Sequence, residues 1–335
     1  MHEAALYERL DDGRVRCALC AHRCLVPEAG RGHCGVRENR GGTLYSLVYG
    51  RLVARQVDPI EKKPLFHFLP GSSAYSVATV GCNFTCKNCQ NHSISQAPRD
   101  QDGLIVGEAV EPREIVEAAK RAGCQSIAYT YTEPTVFFEY ALDTARIARE
   151  EGLRNVFVSN GYMTAEAIAA AVPFLDAINI DLKGITDAFY HEVAGANVAP
   201  VLDSIERFVA AGVWVEVTTL VIPTLNDGEE ELRWTAEAIV GISPAIPWHI
   251  SRFHPAFRLL DLPSTPVETL ENARRIGREA GLRYVYLGNV PGEGEDTRCP
   301  ECHKIAVKRI GFLVRENRLA DGLCPHCGAE VDGVW

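Results

Sequence analysis

The sequence of 335 residues lacks the features of a membrane or secreted protein. No apolar run reaches the roughly 18–20 residues that a helix needs to cross a bilayer, and we find no repeat or low-complexity tract. The first ten residues include Glu3, Glu8 and Arg9, whereas a signal peptide has an apolar stretch in this place. We therefore expect a cytoplasmic protein with no membrane partner.

Basic charge is scarce as well, because 34 Lys and Arg residues are outnumbered by 44 Asp and Glu residues and the formal net charge is -10. Proteins that bind nucleic acids present clustered Lys and Arg to the phosphate backbone. The acidic balance therefore argues against a nucleic-acid partner. An apolar content of 47% is that of a globular chain that can bury a sizeable core.

Cysteine, by contrast, is abundant, and all of the 12 cysteines except Cys124 fall into three groups. The groups are Cys17, Cys20, Cys24 and Cys34; Cys82, Cys86 and Cys89; and Cys299, Cys302, Cys324 and Cys327. Disulfide frameworks belong mainly to small secreted domains, whereas clustered C-x-x-C spacings in an intracellular chain indicate metal sites. Cys124 is expected to pack as a small buried hydrophobe.

Three segments are predicted along the chain: a Cys-rich metal-binding segment at 1–45, a large core at 46–295 and a small module at 296–335. In the core, apolar β-branched runs alternate with helical patterns, and several predicted helices end just before glycine. Strands are predicted at 74–80, 126–131, 155–159, 177–182, 213–222, 248–253 and 284–287, and helices at 112–122, 135–150, 165–171, 202–211, 229–240 and 267–280. The alternation predicts an α/β fold with a parallel sheet, either doubly wound or a partial barrel.

Polar residues recur where the predicted strands end. They are Cys82, Glu133, Asn160, Lys183, Asn226 and His254. Catalytic groups of barrels and other α/β folds gather at the carboxyl ends of parallel strands. The repeated placement therefore predicts an active site at this edge of the sheet.

The central cysteines have the spacing C-x3-C-x2-C directly after the first predicted strand. Iron–sulfur clusters are ordinarily held by four cysteines, so three thiolates would leave one iron of a 4Fe–4S cluster open to a substrate or cofactor. The alternative is a zinc site in which His92 supplies the fourth ligand.

The central motif resembles the signature of the radical S-adenosylmethionine (SAM) superfamily, with Asn88 where that family usually has an aromatic residue. Further segments resemble AmmeMemoRadiSam-system radical SAM enzymes, and the chain is similar to pyruvate formate-lyase-activating enzymes. These segments are 58–71, 129–134, 159–161, 179–184 and the two C-terminal Cys-Pro pairs. The resemblance implies a partial (β/α)6-type TIM barrel and a 4Fe–4S cluster on Cys82, Cys86 and Cys89. It also implies reductive cleavage of SAM to methionine and a 5′-deoxyadenosyl radical, which abstracts hydrogen from a substrate.

The resemblance further implies a set of SAM-binding residues: Glu133, Asn160, Asp181, Lys183 and His254. A carboxylate would pair with the methionyl ammonium and a lysine with the methionyl carboxylate, in charge-assisted hydrogen bonds of about 1.5–3 kcal/mol. Structural roles remain open for each of them. These are a helix cap for Glu133, a turn for Asn160, a strand pair for Asp181 with Lys183, and a core position for His254.

The C-terminal cysteines form two C-x-x-C pairs about twenty residues apart, a spacing that predicts a zinc ribbon. A rubredoxin-like iron site is the alternative. Because so short a segment cannot bury a sufficient core, the metal would supply its folding free energy. The N-terminal cysteines fit either a structural zinc site or a second iron–sulfur cluster, and His22 or His33 could replace one of them.

We weigh three functions. The first is a radical SAM enzyme that acts on a protein or a small molecule, including the case of a glycyl-radical-enzyme activase that acts on a partner protein. The second is a non-catalytic zinc or iron–sulfur binding module, and the third is an electron-transfer protein, which would have fully ligated clusters. The three-cysteine motif beside polar strand ends favours the first. Its expected partners are an electron donor such as flavodoxin or ferredoxin, and Memo-like or AMMECR-like proteins.

Overall fold

The computed structural model describes residues 1–290, 292 and 294–335, and its largest element is an eight-stranded sheet. Seven strands are parallel and lie side by side in chain order. We number them first to seventh: Ser73–Ala78, Ser126–Tyr129, Arg154–Ser159, Ala177–Asp181, Trp214–Val221, Trp248–Arg252 and Val285–Gly288. The remaining strand, Ala54–Pro59, pairs antiparallel with the first.

Helices connect the parallel strands, as the alternating patterns predict. The longer ones are Pro112–Arg121, Phe138–Glu150, Ala165–Ala171, Ala199–Ala210, Glu229–Ile242 and Val267–Ala280. Shorter helical turns are Ile60–Lys62, His92–Ser95, Ala97–Asp100, Pro134–Phe137, Val172–Phe174, Asp187–Phe189 and Tyr190–Ala194. Each predicted strand and helix is present, with ends that differ by a few residues. None of the described helices is long and apolar enough to cross a membrane.

The strand order bears on the choice between the two predicted sheets. A doubly wound sheet reverses its strand order at a switch point, whereas the seven parallel strands here follow each other without reversal. The sheet is therefore not doubly wound. A partial barrel requires this sequential order, and its curvature stays a prediction.

The N-terminal segment forms two small antiparallel sheets that pack on the main core. One contains His2–Glu3, Arg37–Arg40 and Thr43–Ser46, and the other Tyr7–Arg9, Val15–Cys17 and Leu25–Val26; a separate short pair joins Arg51–Leu52 to Glu108–Ala109. Buried Val15, Val36 and Leu44 belong to the same hydrophobic cluster as the main sheet and helices. The predicted boundary after residue 45 falls inside a strand of this segment.

The C-terminal segment packs in a hydrophobic cluster that is separate from the main core. Its strands are Thr297–Arg298, Ile305–Ile310 and Leu313–Asn317. Cys299, Cys324 and Val331 pack with Phe66 and Tyr286, which lie earlier in the sequence, and this cluster is apart from the main core. The segment therefore has little apolar interior of its own, and buried Arg309 joins it to the larger fold by pairing with buried Glu61 at 3.6 Å.

Candidate active site

The loop with Cys82, Cys86 and Cys89 begins just after the first parallel strand. Gly81 has a φ of +99°, and a Cβ at this position would lie 2.5 Å from a methyl carbon of Val36. A larger residue would collide with the N-terminal segment. Glycine therefore permits both the turn and the close contact between the two segments.

Hydrogen bonds fix the backbone of this loop. The N–H of Thr85 donates to the carbonyl of Ala194 at 2.9 Å, and Arg99 Nη1 donates to the carbonyl of Cys82 at 2.8 Å. The N–H of Phe84 points at Cys82 Sγ at 3.4 Å, and such donors tune sulfur ligands in iron–sulfur sites. The thiols are thus held in position by the backbone around them.

A cavity of about 630 Å³ opens beside the cysteines at the carboxyl ends of the parallel strands. The predicted site residues that line it are Cys82, Cys86, Cys89, Glu133, Asn160, Asp181 and Lys183. Its volume lies within the range of about 300–1,000 Å³ that is usual for small-molecule sites. The structure therefore brings together in one pocket every predicted active-site ligand except His254.

The three central sulfur atoms are spread out. Within the described residues, they form no group of three or more candidate ligand atoms within 4.8 Å of one another. His92, the alternative fourth zinc ligand, instead places Nδ1 3.2 Å from the carbonyl oxygen of Cys89 and stacks on Phe257. Tetrahedral zinc holds its ligands about 2.0–2.3 Å from the metal, so this arrangement fits a polynuclear cluster better than a zinc ion.

Burial affects the protonation of two central cysteines, Cys82 and Cys86. It raises the pKa of Cys82, and it raises the pKa of Cys86 to about 11 although the Lys183 ammonium lowers the latter in part. Both thiols therefore stay protonated at neutral pH in the absence of a metal. Because thiolates are the metal ligands, cluster binding must release these protons.

Glu133 combines the capping role with a position on the cavity. Its side chain is buried, and Oε1 accepts hydrogen bonds from Thr135 N at 3.0 Å and Ser159 Oγ at 2.8 Å. Oε2 accepts one bond, from Asn160 N at 2.8 Å. The bond from Thr135 N caps the helical turn that begins at Pro134. Burial raises the pKa of Glu133, and the surrounding donors lower it in part.

Asn160 connects the third strand to the cysteine loop. Its Nδ2 donates to Asn83 Oδ1 at 2.7 Å and lies 3.9 Å from Cys82 Sγ. Its Oδ1 accepts a bond from Tyr162 N at 3.0 Å, which shapes the following turn. The residue is therefore a turn former and at the same time an amide donor beside a sulfur ligand.

Asp181 and Lys183 form an ion pair on the wall of the cavity, with Lys183 Nζ 2.9 Å from Asp181 Oδ2. Burial alone would lower the pKa of Lys183, but Asp181 and Cys86 raise it above its ordinary value. The ammonium therefore stays charged beside the cysteine loop. Asp181 and Lys183 therefore form the structural ion pair that the sequence analysis left open. The Lys183 ammonium also lies on the cavity surface.

His254 and Asn226 do not line the cavity. His254 is exposed, with Nδ1 3.0 Å from Ser264 Oγ. It is not a core histidine, and its role toward SAM stays a prediction. Asn226 is buried and serves the backbone, because it accepts a bond from Ile222 N at 2.6 Å and donates to the carbonyl of Lys183 at 2.8 Å.

Other cavity residues were missed in the sequence. Asn289 follows the seventh strand and donates to Ser251 Oγ at 2.9 Å. The search for polar residues at strand ends would have found it. Lys63 and Tyr131 also line the cavity, and both bond to Asp58, with Lys63 Nζ at 2.7 Å. These two lay in segments quoted for the family resemblance, but no signal gave them a role.

The C-terminal cysteines form a compact group of candidate metal ligands, the only such group among the residues that the structure describes. Their Sγ atoms all lie within 4.8 Å of one another, with 3.6 Å between Cys299 and Cys327 and 3.7 Å between Cys302 and Cys324. These separations suit four thiolates around one tetrahedral ion. The group can hold a metal, and zinc remains our prediction for it.

The N-terminal cysteines line a second, smaller cavity together with Leu19, Gly32, Arg37, Thr135 and Val136. Neither His22 nor His33 lines it. His22 Nε2 lies 2.8 Å from the carbonyl oxygen of Asn83, and the two histidine rings pack against each other. The four cysteines themselves are therefore the donor set that this cavity offers.

Comparison with known proteins gives a family match for part of the chain. Residues 76–235 match the family model described as the radical SAM superfamily. The chain is 46% identical over 338 residues to a protein of Methanocaldococcus jannaschii that is described as uncharacterized, and the match covers 100% of both chains.

Two further relatives are named as activating enzymes. The isethionate sulfite-lyase activating enzyme of Nitratidesulfovibrio vulgaris is 30% identical over 35% of this chain and 40% of its own length. The pyruvate formate-lyase-activating enzyme of Clostridium pasteurianum is 20% identical over 61% of this chain and 87% of its own length. A solved radical SAM methyltransferase from Sphaerobacter thermophilus has a TM-score of 0.52 at 18% identity, over 66% of this chain and 67% of that one, which shows the α/β fold. The chain contains a radical SAM domain over residues 76–235.

Proposed function

We propose that this protein cleaves SAM reductively at a 4Fe–4S cluster on Cys82, Cys86 and Cys89 and uses the radical to abstract hydrogen from a substrate. One observation carries the proposal: the three sulfurs share a single cavity with Glu133 and Lys183. Three thiolates leave one iron open, and a carboxylate and an ammonium beside it match the charges of the methionyl group.

The residues present fit such a cluster. The sulfurs do not form a group tight enough for one metal ion. Buried Asn83 Nδ2 and Asn88 Oδ1 have no hydrogen-bond partner among the described residues, and unpaired buried polar atoms are costly. A bound group beside the loop would give them partners. When bound, the cluster supplies the electron that splits SAM into methionine and a 5′-deoxyadenosyl radical.

The chain's own side chains orient SAM in this proposal. Glu133 Oε2 accepts only one hydrogen bond within the described structure and can accept a second from the methionyl ammonium. Lys183 can pair with the methionyl carboxylate, and each such bond contributes about 1.5–3 kcal/mol. Asn88 lines the cavity, and its amide can hydrogen-bond the adenine edge in place of an aromatic contact.

The second candidate function is activation of a glycyl-radical enzyme, because two relatives are named as activating enzymes. A protein partner would meet an apolar rim in this chain. Phe312 lines the cavity from the C-terminal hairpin and is 48% exposed, and its neighbours Ile310 and Leu313 are exposed as well. In either case a flavodoxin- or ferredoxin-type donor supplies the electron, and Memo-like or AMMECR-like proteins are the proposed partners.

Anaerobic reconstitution with iron and sulfide, followed by dithionite and SAM, tests the proposal. Wild-type protein should form 5′-deoxyadenosine, whereas Cys86→Ala should form none and keep its zinc. Cys124→Ala is the matched control, since this buried cysteine stands outside all three groups, and it should behave as wild type. Product formation by Cys86→Ala would show that the cluster assignment is wrong.

Deuterium transfer separates the two candidate functions. A labelled small molecule that passes deuterium into 5′-deoxyadenosine would identify the substrate directly. A glycyl radical signal on a partner protein, absent with the Cys86→Ala variant, would instead identify an activase.

A further inference from the structure

The N-terminal and C-terminal cysteines differ in how far apart their sulfur atoms lie. The C-terminal Sγ atoms are all within 4.8 Å of one another, as around a single tetrahedral ion. The N-terminal four line one cavity, yet no three of them meet that limit within the described chain. In this respect they resemble the three central cysteines. The wider spacing favours a polynuclear metal core over one zinc ion.

The N-terminal cavity is enclosed. Cys17 and Cys34 are 6% and 8% exposed, and Cys20 and Cys24 are half-buried. The space between them is about 20 Å³, enough for a body the size of one water molecule. Four thiolates that bind one zinc ion lie only about 2.3 Å from it, so a water-sized body does not fit between them. The cavity is therefore wider than a mononuclear site requires.

A buried guanidinium forms part of the cavity wall. Both terminal nitrogens of Arg37 bind Glu139, at 3.1 and 2.5 Å, and the side chain is 3% exposed. Its Nε has no hydrogen-bond partner in the described structure. Because Arg37 lines the cavity, an anionic sulfur-rich group there would supply the missing acceptor. The N–H of His33 also donates to Cys24 Sγ at 3.3 Å.

The cavity adjoins the active site. Thr135 lines it and donates its N–H and its hydroxyl to Glu133, at 3.0 and 2.5 Å. Arg99 Nη1 donates to the carbonyl of His33 at 2.7 Å and to that of Cys82 at 2.8 Å. A single side chain thus joins the N-terminal and the central cysteine loops. A redox group at the N-terminal site would be a direct neighbour of the central cluster.

We propose that Cys17, Cys20, Cys24 and Cys34 hold a second, fully ligated iron–sulfur cluster and not zinc. Four thiolates leave no open iron, so this cluster binds no SAM and its chemistry is one-electron transfer. The inference concerns a separate set of ligands and does not depend on the proposed cleavage of SAM.

A variant without the central cysteines tests this proposal. The substitutions Cys82→Ala, Cys86→Ala and Cys89→Ala together remove the central cluster and leave the N-terminal set intact. After anaerobic reconstitution with iron and sulfide, we expect this variant to keep about two or four irons per chain, according to the cluster type. We also expect iron–sulfur absorption and, after reduction, an EPR signal that SAM does not change.

Two variants in this background check which cysteines hold the iron. Adding Cys17→Ser and Cys34→Ser should remove the iron. Adding Cys299→Ser and Cys324→Ser should instead remove zinc and leave the iron in place. The proposal is overturned if the triple variant holds no iron, if it holds about two zinc ions per chain, or if iron persists after Cys17 and Cys34 are replaced. Circular dichroism of each variant confirms that the iron is measured on folded protein.

Discussion

The two ends of the chain each carry four cysteines but hold them at different distances and against different cores. The C-terminal sulfurs lie within 4.8 Å of one another, and Cys299 and Cys324 pack in a small separate cluster. The N-terminal sulfurs lie farther apart, and Cys17 and Cys34 belong to the main core. The number of cysteines alone therefore does not distinguish the two sites, whereas their separation and their packing do.

The difference also concerns what each region needs in order to fold. The C-terminal segment buries few apolar side chains, so we expect a metal to be its main source of stability. The N-terminal segment shares the interior of the main sheet, and the buried pair of Arg37 and Glu139 ties it to the helix Phe138–Glu150. Metal loss should therefore unfold one end locally and leave the other largely in place.

The largest expected effect is the loss of the C-terminal metal. Replacing Cys302 and Cys324 by serine removes two of four ligands, and metal binding in small zinc modules contributes about 10–16 kcal/mol. Residues 296–335 should then lose protection from hydrogen exchange while the parallel sheet keeps it. Serine at Cys17 and Cys34 is the matched pair, and it should leave 296–335 protected. Unchanged protection in the Cys302/Cys324 variant would contradict a metal-dependent module.

The next effect concerns the ion pairs that attach the two ends. Arg37→Met leaves Glu139 buried without its partner, which should lower the free energy of unfolding by about 3–5 kcal/mol. Arg283→Met removes an exposed pair with Asp332, whose side chains are 48% and 26% exposed, and should cost about 1 kcal/mol or less. Chemical denaturation measures both. Equal losses would mean that burial of the Arg37–Glu139 pair does not increase the cost of breaking it.

A smaller effect is expected at Glu133, where the N-terminal region meets the active site. Glu133→Gln should weaken SAM binding by roughly 10- to 100-fold, the equivalent of about 1.5–3 kcal/mol for a charge-assisted hydrogen bond. Glu166→Gln is the control, because its carboxylate pairs with Arg23 at the surface. Binding of SAM to reconstituted protein within twofold of wild type in Glu133→Gln would exclude Glu133 as the partner of the ammonium.

The pH dependence of this binding follows from the position of Glu133. Burial raises its pKa above the ordinary value, and only the ionised carboxylate attracts the methionyl ammonium. The affinity of the wild type for SAM should therefore rise with pH as Glu133 ionises. The midpoint of this rise should lie at a higher pH than the pKa of an exposed glutamate. Glu133→Gln should remove this dependence, and a titration that is the same in both proteins would contradict it.

The alternation of apolar patterns was enough to predict the seven parallel strands and the long helices. It failed where burial is weak or the elements are short. Three of the six residues of the strand Ala54–Pro59 are exposed, and the strand has no apolar alternation to reveal it. The small N-terminal sheets depend on contacts with the main core, and residues 1–45 give no periodic signal of them.

The candidate site divides in a similar way. Glu133, Asn160 and Lys183 were found because their positions at strand ends fix where they lie. His254 has the same kind of position, but its side chain is exposed, since a place in the sequence does not determine side-chain direction. Lys63 reaches the cavity from a segment before the first parallel strand, and only tertiary contacts bring it there. A C-x-x-C spacing likewise does not determine how far apart the sulfur atoms of a cysteine group lie.

The central claim is that three cysteines hold a cluster with one iron open to SAM while another four hold a closed one. EPR spectroscopy of the reduced, reconstituted Cys17→Ser/Cys34→Ser variant tests it most directly, because the central cluster is then observed alone. We predict an iron–sulfur signal that changes when SAM is added. A signal that is identical with and without SAM would contradict the account.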